Sequence, residues 1–190
     1  MLSVLSVSAT VTIVAVNDAP IVTTSAGITA FIEGNNVTSI PVSIDPGVTI
    51  SDVDHTTLAS AAISITTNLQ TAEDVLAFTN DGTTMGNISA SYNGVTGVLS
   101  LSSTNASATL AQWQKALAAV TYTNTSETPN VATRTISFQV NDGEDESVVS
   151  TKLVSVTSVN DTPVISGTPI TTTAQDGAYS FTPVANDLDG

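Results

Sequence analysis

Pairs of carboxylates recur in this 190-residue chain at a spacing that suits a divalent cation. Asp52 and Asp54 are separated by one residue, and so are Asp187 and Asp189. Two alternate carboxylates of this kind can hold one ion. Calcium prefers about six to eight oxygen ligands from carboxylates, amides and main-chain carbonyl groups. The aspartate pairs therefore predict Ca²⁺ sites, provided that further oxygen ligands lie beside them.

The composition leaves oxygen-ligated metals open and excludes several other sites. The chain has 17 Asp and Glu, three Lys and Arg, one His, no Cys and a formal net charge of −14. The lack of cysteine excludes a disulfide scaffold, a thiolate zinc site and a thiol nucleophile. Three basic side chains are too few to neutralise the phosphates of a nucleic acid. A bound divalent cation would offset the self-repulsion of the acidic groups.

A second acidic motif, Asn-Asp-X-Pro, repeats 143 residues apart. Asn17 and Asp18 begin its first copy, and Asn160 and Asp161 begin its second. A segment of alternating apolar and polar residues precedes each copy. An acidic residue followed by glycine lies 15 residues beyond the aspartate of each copy, as Glu33-Gly34 and Asp176-Gly177, and an aspartate pair comes later still. Matched features in one order indicate an internal repeat.

The repeat predicts three parts of a tandem array. Residues 1–18 are interpreted as the last strand of a preceding module, 19–159 as one complete module, and 160–190 as a linker with the start of the next module. Proline in each linker fixes φ, so we expect neighbouring modules to sit end to end.

The sequence predicts an all-β fold, a β-sandwich of about seven strands with one short helix. Strand-like runs separated by turn sequences occur at 28–33, 37–44, 59–67, 87–92, 96–102, 133–141 and 147–158. Residues 107–120 instead place Leu110, Trp113, Leu117 and Val120 at helical spacing behind a Ser/Thr cap. We expect this helix to pack over one end or edge of the sandwich, with Trp113 in the core.

Strand direction predicts which acidic residues meet at the entry end of the module. The final strand must run towards the exit linker, so the hairpin loop before it returns to the entry linker. This loop brings Asp142 beside Asn17 and Asp18, and we expect Asp52 and Asp54 to join them. These five residues form the predicted upper calcium site.

The same argument predicts a lower calcium site at the exit linker. Asn160 and Asp161 supply ligands from the linker, and Asp187 and Asp189 supply ligands from the following segment. Glu33 reaches in from an early strand, and Glu127, in a loop, is a weaker candidate. By contrast, Asp45 and Asp81 are interpreted as turn formers.

These residues resemble those of cadherin-like repeats in large bacterial surface proteins and adhesins, over nearly the whole chain. The linker motif, Glu33, the Asp52/Asp54 pair and the Asn141-Asp142-Gly143 hairpin carry the resemblance. The third segment resembles the dystroglycan-type variant. The resemblance implies a cadherin- or immunoglobulin-like β-sandwich with calcium between tandem modules. The family's Asp-Arg-Glu triplet has no counterpart here, which implies fewer ions at each junction.

The favoured function is a calcium-rigidified spacer in a secreted or cell-surface adhesin, whose partners are neighbouring modules of the same chain. The alternative is a module that binds a cell-surface glycan or another cadherin-like domain. No apolar run is long enough to insert into a membrane. His55 is the only histidine and no Gly-X-Ser-X-Gly motif is present, so we expect no enzymatic activity.

Overall fold

The computed structural model describes residues 8–189 and confirms an all-β fold with one short helix. The first strands are β1 (Ile21–Thr23), β2 (Ile28–Ile32), β3 (Val42–Ser43), β4 (Thr49–Ser51), β5 (Ser60–Thr67) and β6 (Asp74–Ala77). β7 (Ile88–Asn93) and β8 (Val98–Ser103) precede helix α1 (Leu110–Ala118). The remaining strands are β9 (Thr121–Asn124), β10 (Arg134–Asn141), β11 (Ser150–Thr157), β12 (Val164–Ser166) and β13 (Val184–Asn186).

Two sheets pack face to face around one apolar core. The larger sheet has six strands in the order β2-β11-β10-β5-β8-β7, and the smaller has three in the order β3-β9-β6. Phe31 from the larger sheet and Tyr122 from the smaller are both fully buried, and their rings meet edge to face with centroids 5.3 Å apart. Aromatic pairs prefer this geometry. The arrangement is a β-sandwich, as the alternating sequence predicts.

The predicted helix forms and covers the core as expected. Thr109 caps it: its side chain accepts a hydrogen bond from the backbone N–H of Gln112, and the Gln112 side chain bonds back to the backbone of Thr109. Trp113 and Leu117 are fully buried. The indole Nε1–H of Trp113 donates to the carbonyl of Leu58 over 2.9 Å. The single tryptophan is therefore part of the core.

A buried ion pair joins the two sheets. Arg134, at the start of β10, donates from Nε to Oδ2 of Asp74 in β6 over 3.0 Å, and both side chains are fully buried. Asp74 also accepts hydrogen bonds from Tyr122, Asn124 and the backbone of Gln70. Burial by itself raises the pKa of Asp74, but these donors outweigh it and hold that pKa below its usual value.

The predicted strand boundaries fail in two places. The run 37–44 forms a strand only at Val42–Ser43, where Pro41 lacks the N–H needed for a longer ladder. Residues 8–20 contain no strand, although they alternate, because no strand among residues 8–189 lies beside them to pair with. Residues 1–7 lie outside the described residues. The short strands β1, β4, β6 and β9 were not predicted, because three or four residues are too few to establish a period.

The sequence repeat has a partial counterpart in the strand pairing. β1 pairs antiparallel with β4, and β12 pairs antiparallel with β13. Ile21 lies opposite Ser51 in the first pair, and Val164 lies opposite Asn186 in the second. The structural counterpart of the repeat does not extend to Glu33 and Asp176, because Glu33 is buried beside β2 whereas Asp176 is exposed in an irregular segment. No helix in residues 8–189 has both the length and the apolar character needed to cross a membrane.

Candidate metal centres

The pairing of β2 with β11 creates the first acidic cluster. These strands run parallel, so they end on the same side of the sheet. Glu33 follows β2, and Asp161 lies in the linker after β11. The N–H of Glu33 donates to the carbonyl of Thr157 over 3.0 Å, and Oε2 of Glu33 accepts from the N–H of Val159 over 2.8 Å. These bonds fix the glutamate against the linker.

Glu127 completes this group, which we call the lower cluster: Glu33, Glu127 and Asp161. Glu127 comes from the loop between β9 and β10. One ligand oxygen from each of the three residues lies within 4.8 Å of the others. Glu127, the weaker candidate from the sequence, is therefore a member of the cluster.

Each carboxylate of the lower cluster has an oxygen without a protein partner. Oε1 of Glu33, Oε2 of Glu127 and Oδ2 of Asp161 are all inaccessible to solvent and accept no hydrogen bond from residues 8–189. Glu33 is 4% exposed and Asp161 is fully buried. Burial raises the pKa of Glu33, and repulsion from Asp161, Asp189 and Glu127 raises it further, against the hydrogen bond from Val159. Such a set of buried, unsatisfied anionic oxygens could hold a metal ion.

The segment after the linker also reaches the lower cluster. Asp189 accepts a hydrogen bond from the N–H of Asp161, and the N–H of Asp189 donates to Oδ1 of Asp187 over 3.2 Å. The carbonyl oxygen of Asn160 accepts from Nδ2 of Asn35 over 2.6 Å, so Asn160 is held against the loop after Glu33. All the residues of the predicted lower site therefore lie at this junction, with Asp187 and Asp189 exposed at its margin.

A second group, the upper cluster, consists of Asp52, His55 and Asp142. One ligand atom from each residue lies within 4.8 Å of the others. Nδ1 of His55 lies 3.9 Å from Oδ1 of Asp52 and 3.8 Å from Oδ2 of Asp142. Both aspartate side chains are fully buried, and the His55 side chain is 34% exposed. Sequence reasoning placed Asp52 and Asp142 together but left His55 out of the site.

Turns hold the two aspartates of the upper cluster in place. Oδ1 of Asp52 accepts from the N–H groups of Asp54 and His55 over 2.9 and 2.7 Å. Oδ1 of Asp142 accepts from the N–H groups of residues 144 and 145, both over 2.7 Å. Burial raises the pKa of Asp142, but these bonds and one from Asn17 outweigh it and lower that pKa. One oxygen of each aspartate therefore serves its own turn.

The entry linker contacts the upper cluster through Asn17. Its Nδ2 donates to Oδ2 of Asp142 and to Oδ2 of Asp145, both over 3.0 Å. The N–H of Asp18 donates to Oδ2 of Asp54 over 2.7 Å, and both residues are exposed. The predicted upper residues thus gather at one end of the sandwich. Asp145 was missed, although it lies in the same acidic hairpin as Asp142.

The two remaining acidic candidates act as turn formers in the structure. Oδ1 of Asp81 accepts from the N–H groups of Thr83 and Thr84. Oδ2 of Asp45 accepts from the N–H of Ser25 over 2.7 Å, and Oδ1 lies 4.0 Å from Nζ of Lys152. Oδ1 of Asp45 also accepts from the N–H of Gly47 over 3.1 Å, so each carboxylate holds a turn, and Asp45 in addition binds distant Ser25.

No protein-family model, curated protein or solved structure matches this chain. The fold and the two clusters, either of which could hold a metal ion, are therefore the features that bear on function.

Proposed function

We propose that this chain is a calcium-binding, cadherin-like repeat segment of a secreted or cell-surface adhesin, in which Ca²⁺ stiffens the connection between neighbouring modules. The proposal gives the chain a spacer role and no catalytic activity. Its partners are the adjoining modules of the same polypeptide.

The observation that carries the proposal is the set of unpartnered oxygens in the lower cluster. Glu33, Glu127 and Asp161 come from three separate segments, and each has a buried oxygen that bonds to no group in the described chain. Two like charges about 4 Å apart near a protein surface repel by about 4 kcal/mol. Folding brings the three carboxylates together against repulsion of this kind, which a divalent cation would offset.

The ligand types favour calcium over smaller ions. Carboxylates from separate segments, with Asp187 and Asp189 beside them, suit an ion that accepts many oxygens in a flexible arrangement. Mg²⁺ requires a stricter octahedron and retains its water more strongly. The lower cluster also spans the linker, so an ion bound there would tie residues 160–189 to the sandwich.

The basic side chains support the need for an added cation. Arg134 is paired with Asp74 inside the sandwich. Lys152 donates to the carbonyls of Ser25 and Ala26 and is 5% exposed. Neither cation reaches the lower cluster, so its negative charge has no counter-charge from these two residues.

The alternative role, binding of a glycan or another cadherin-like domain, has less support. The best stacking candidate, Trp113, is fully buried and cannot contact a sugar ring.

The test is a set of thermal unfolding curves in EDTA, in Ca²⁺ and in Mg²⁺. We expect a selective rise with Ca²⁺, since a ligand at about one hundred times its Kd adds about 2.7 kcal/mol to stability. Asp161→Asn should abolish the rise, whereas Asp176→Asn, an exposed acidic change in the same region, should retain it. Equal curves in EDTA and millimolar Ca²⁺ would overturn the proposal.

Stiffening has its own measurement. When Ca²⁺ is added, the NMR relaxation rates of the backbone amides in residues 164–186 should become equal to those of the sandwich, because the two parts then tumble together. Asp161→Asn should prevent this change. A rise in melting temperature without this change would support binding but contradict the spacer role.

A further inference from the structure

The two clusters differ in ligand chemistry. The lower cluster offers only carboxylate oxygens, whereas the upper cluster places the imidazole of His55 between two carboxylates. His55 is the only histidine in the chain. An ion in the upper cluster therefore meets a nitrogen ligand that the lower cluster lacks.

The upper cluster contains buried polar atoms that have no hydrogen-bond partner. Nδ1 of His55 and Oδ2 of Asp52 are inaccessible to solvent and have no hydrogen-bond partner in the described part of the chain. The Asp52 side chain is fully buried. Oδ1 of Asn17, next to the cluster, is likewise inaccessible to solvent and has no hydrogen-bond partner in the described residues. Buried polar atoms are normally bonded, so this group is completed by something other than residues 8–189.

A simple ion pair does not account for this geometry. A protonated imidazole beside a carboxylate forms a short hydrogen bond of about 2.7–2.9 Å. Nδ1 of His55 lies instead at 3.9 Å from Oδ1 of Asp52 and 3.8 Å from Oδ2 of Asp142. Ligands about 2.1 Å from a tetrahedral Zn²⁺ are about 3.4 Å apart, which is about 0.4–0.5 Å less than these two separations. Oδ1 of Asp52 is held by its turn, so the unpartnered Oδ2 is the oxygen that Asp52 offers to an ion.

The surroundings suit an ion with a partly open coordination shell. The turns that bind Oδ1 of Asp52 and Oδ1 of Asp142 fix the two aspartates before an ion arrives. A cavity of about 340 Å³, lined in part by Asn17, Asp54 and His55, lies beside the cluster. It provides room for water at the remaining coordination positions. Two carboxylates and a neutral imidazole would neutralise a divalent charge.

We propose that Asp52, His55 and Asp142 form a site for a divalent transition-metal ion of the Zn²⁺, Co²⁺ and Ni²⁺ class. Imidazole nitrogen is a good ligand for these ions, whereas Ca²⁺ prefers oxygen. The inference is independent of the calcium function proposed for the lower cluster. It gives the two ends of the sandwich different ion preferences.

The test uses the NMR signals of the single imidazole, which need no assignment by mutation. The chain is held in excess Ca²⁺, which occupies any calcium site, and Zn²⁺ is then added. We expect the imidazole signals to shift in proportion to Zn²⁺ up to one equivalent. An unchanged imidazole spectrum at millimolar Zn²⁺ would overturn the proposal.

Calorimetric titration with Zn²⁺ supplies the second measurement. His55→Asn should weaken Zn²⁺ binding by about tenfold or more, since loss of groups that merely support a metal ligand already costs that much. Asp161→Asn, which alters only the lower cluster, should leave Zn²⁺ binding unchanged and abolish the calcium response. Unchanged Zn²⁺ affinity in His55→Asn, with a melting temperature in EDTA equal to that of the parent chain, would refute the assignment of His55.

Discussion

The backbone N–H of Asp18 donates to Oδ2 of Asp54, and the same bond recurs between Asp161 and Asp189. In each case the linker aspartate is joined, through its main chain, to the second member of an aspartate pair. The pairs also share an internal bond, from Asp54 to Asp52 and from Asp189 to Asp187. Asp18 and Asp161 are therefore each attached to the segment that follows them. The Asp161 side chain also contacts the sandwich that precedes it, where it accepts a hydrogen bond from the N–H of Asn36.

Glu33→Gln should have opposite effects with and without calcium. In EDTA the change should raise stability by about 1 kcal/mol, because it removes one of three repelling carboxylates while an amide oxygen remains to accept from Val159. In saturating Ca²⁺ it should lower stability, because a charged ligand is lost. Urea unfolding in both solutions measures the two effects. Glu73→Gln, outside both clusters, is the control: its effect on stability should have the same sign in EDTA and in Ca²⁺.

Asp74→Asn should destabilise the sandwich by about 3–5 kcal/mol, because it leaves the buried guanidinium of Arg134 without its counter-charge. Chemical denaturation measures the loss. Asp81→Asn is the control, since it neutralises an exposed carboxylate while an oxygen remains for the turn. Comparable losses in the two variants would contradict a special role for the buried pair.

The lowered pKa of Asp74 leads us to expect that the free energy of unfolding falls in acid. Its pKa is lower in the folded chain than the ordinary value of 3.8. The unfolded chain therefore binds a proton at Asp74 more readily than the folded chain does. The stabilisation from the charged Asp74 is complete above the ordinary pKa of 3.8, and it declines as the pH falls through the folded pKa. The difference in unfolding free energy between the parent chain and Asp74→Asn, measured in EDTA, should shrink below pH 3.8. A difference that stays constant down to pH 2 would contradict this interpretation.

Gly34→Ala should weaken calcium binding without removing a ligand. A Cβ at Gly34 would lie 2.6 Å from the carbonyl oxygen of Val37 and 2.9 Å from its Cγ2, so the adjacent loop must move. Asn36 in that loop donates its N–H to Asp161. We expect a smaller rise in melting temperature with Ca²⁺. Gly94→Ala is the control, because its Cβ would make only an ordinary contact 3.6 Å from Tyr92.

The lower cluster could be anticipated because a few residues determine strand direction. The alternation in 147–158 predicts the last strand, and its end must lie at the linker that carries Asp161. Glu33 follows from the repeat. The order of the strands in the sheets could not be predicted from the pattern, and so Glu127 was only a weaker candidate for the cluster.

The sequence pattern could not predict the buried ion pair or the approach of His55 to Asp142. Asp74 and Arg134 are 60 positions apart, and neither belongs to a periodic motif. Their pairing follows from the packing of the smaller sheet, which contains β6, against the larger sheet, which contains β10. His55 lies beside Asp54 in the sequence, but its approach to Asp142 depends on two loops meeting at one end of the sheet.

The parallel pairing of β2 with β11 also determines how the sandwich resists tension. The two strands run in register from Ile28 opposite Leu153 to Ile32 opposite Thr157. A pull on the start of β2 against the end of β11 acts along the strands, across their hydrogen bonds, so those bonds share the load and must shear together. An antiparallel pair pulled from one end would unzip one bond at a time. This topology makes the connection between β2 and β11 a mechanical clamp, located beside the linker through which the next segment would pull.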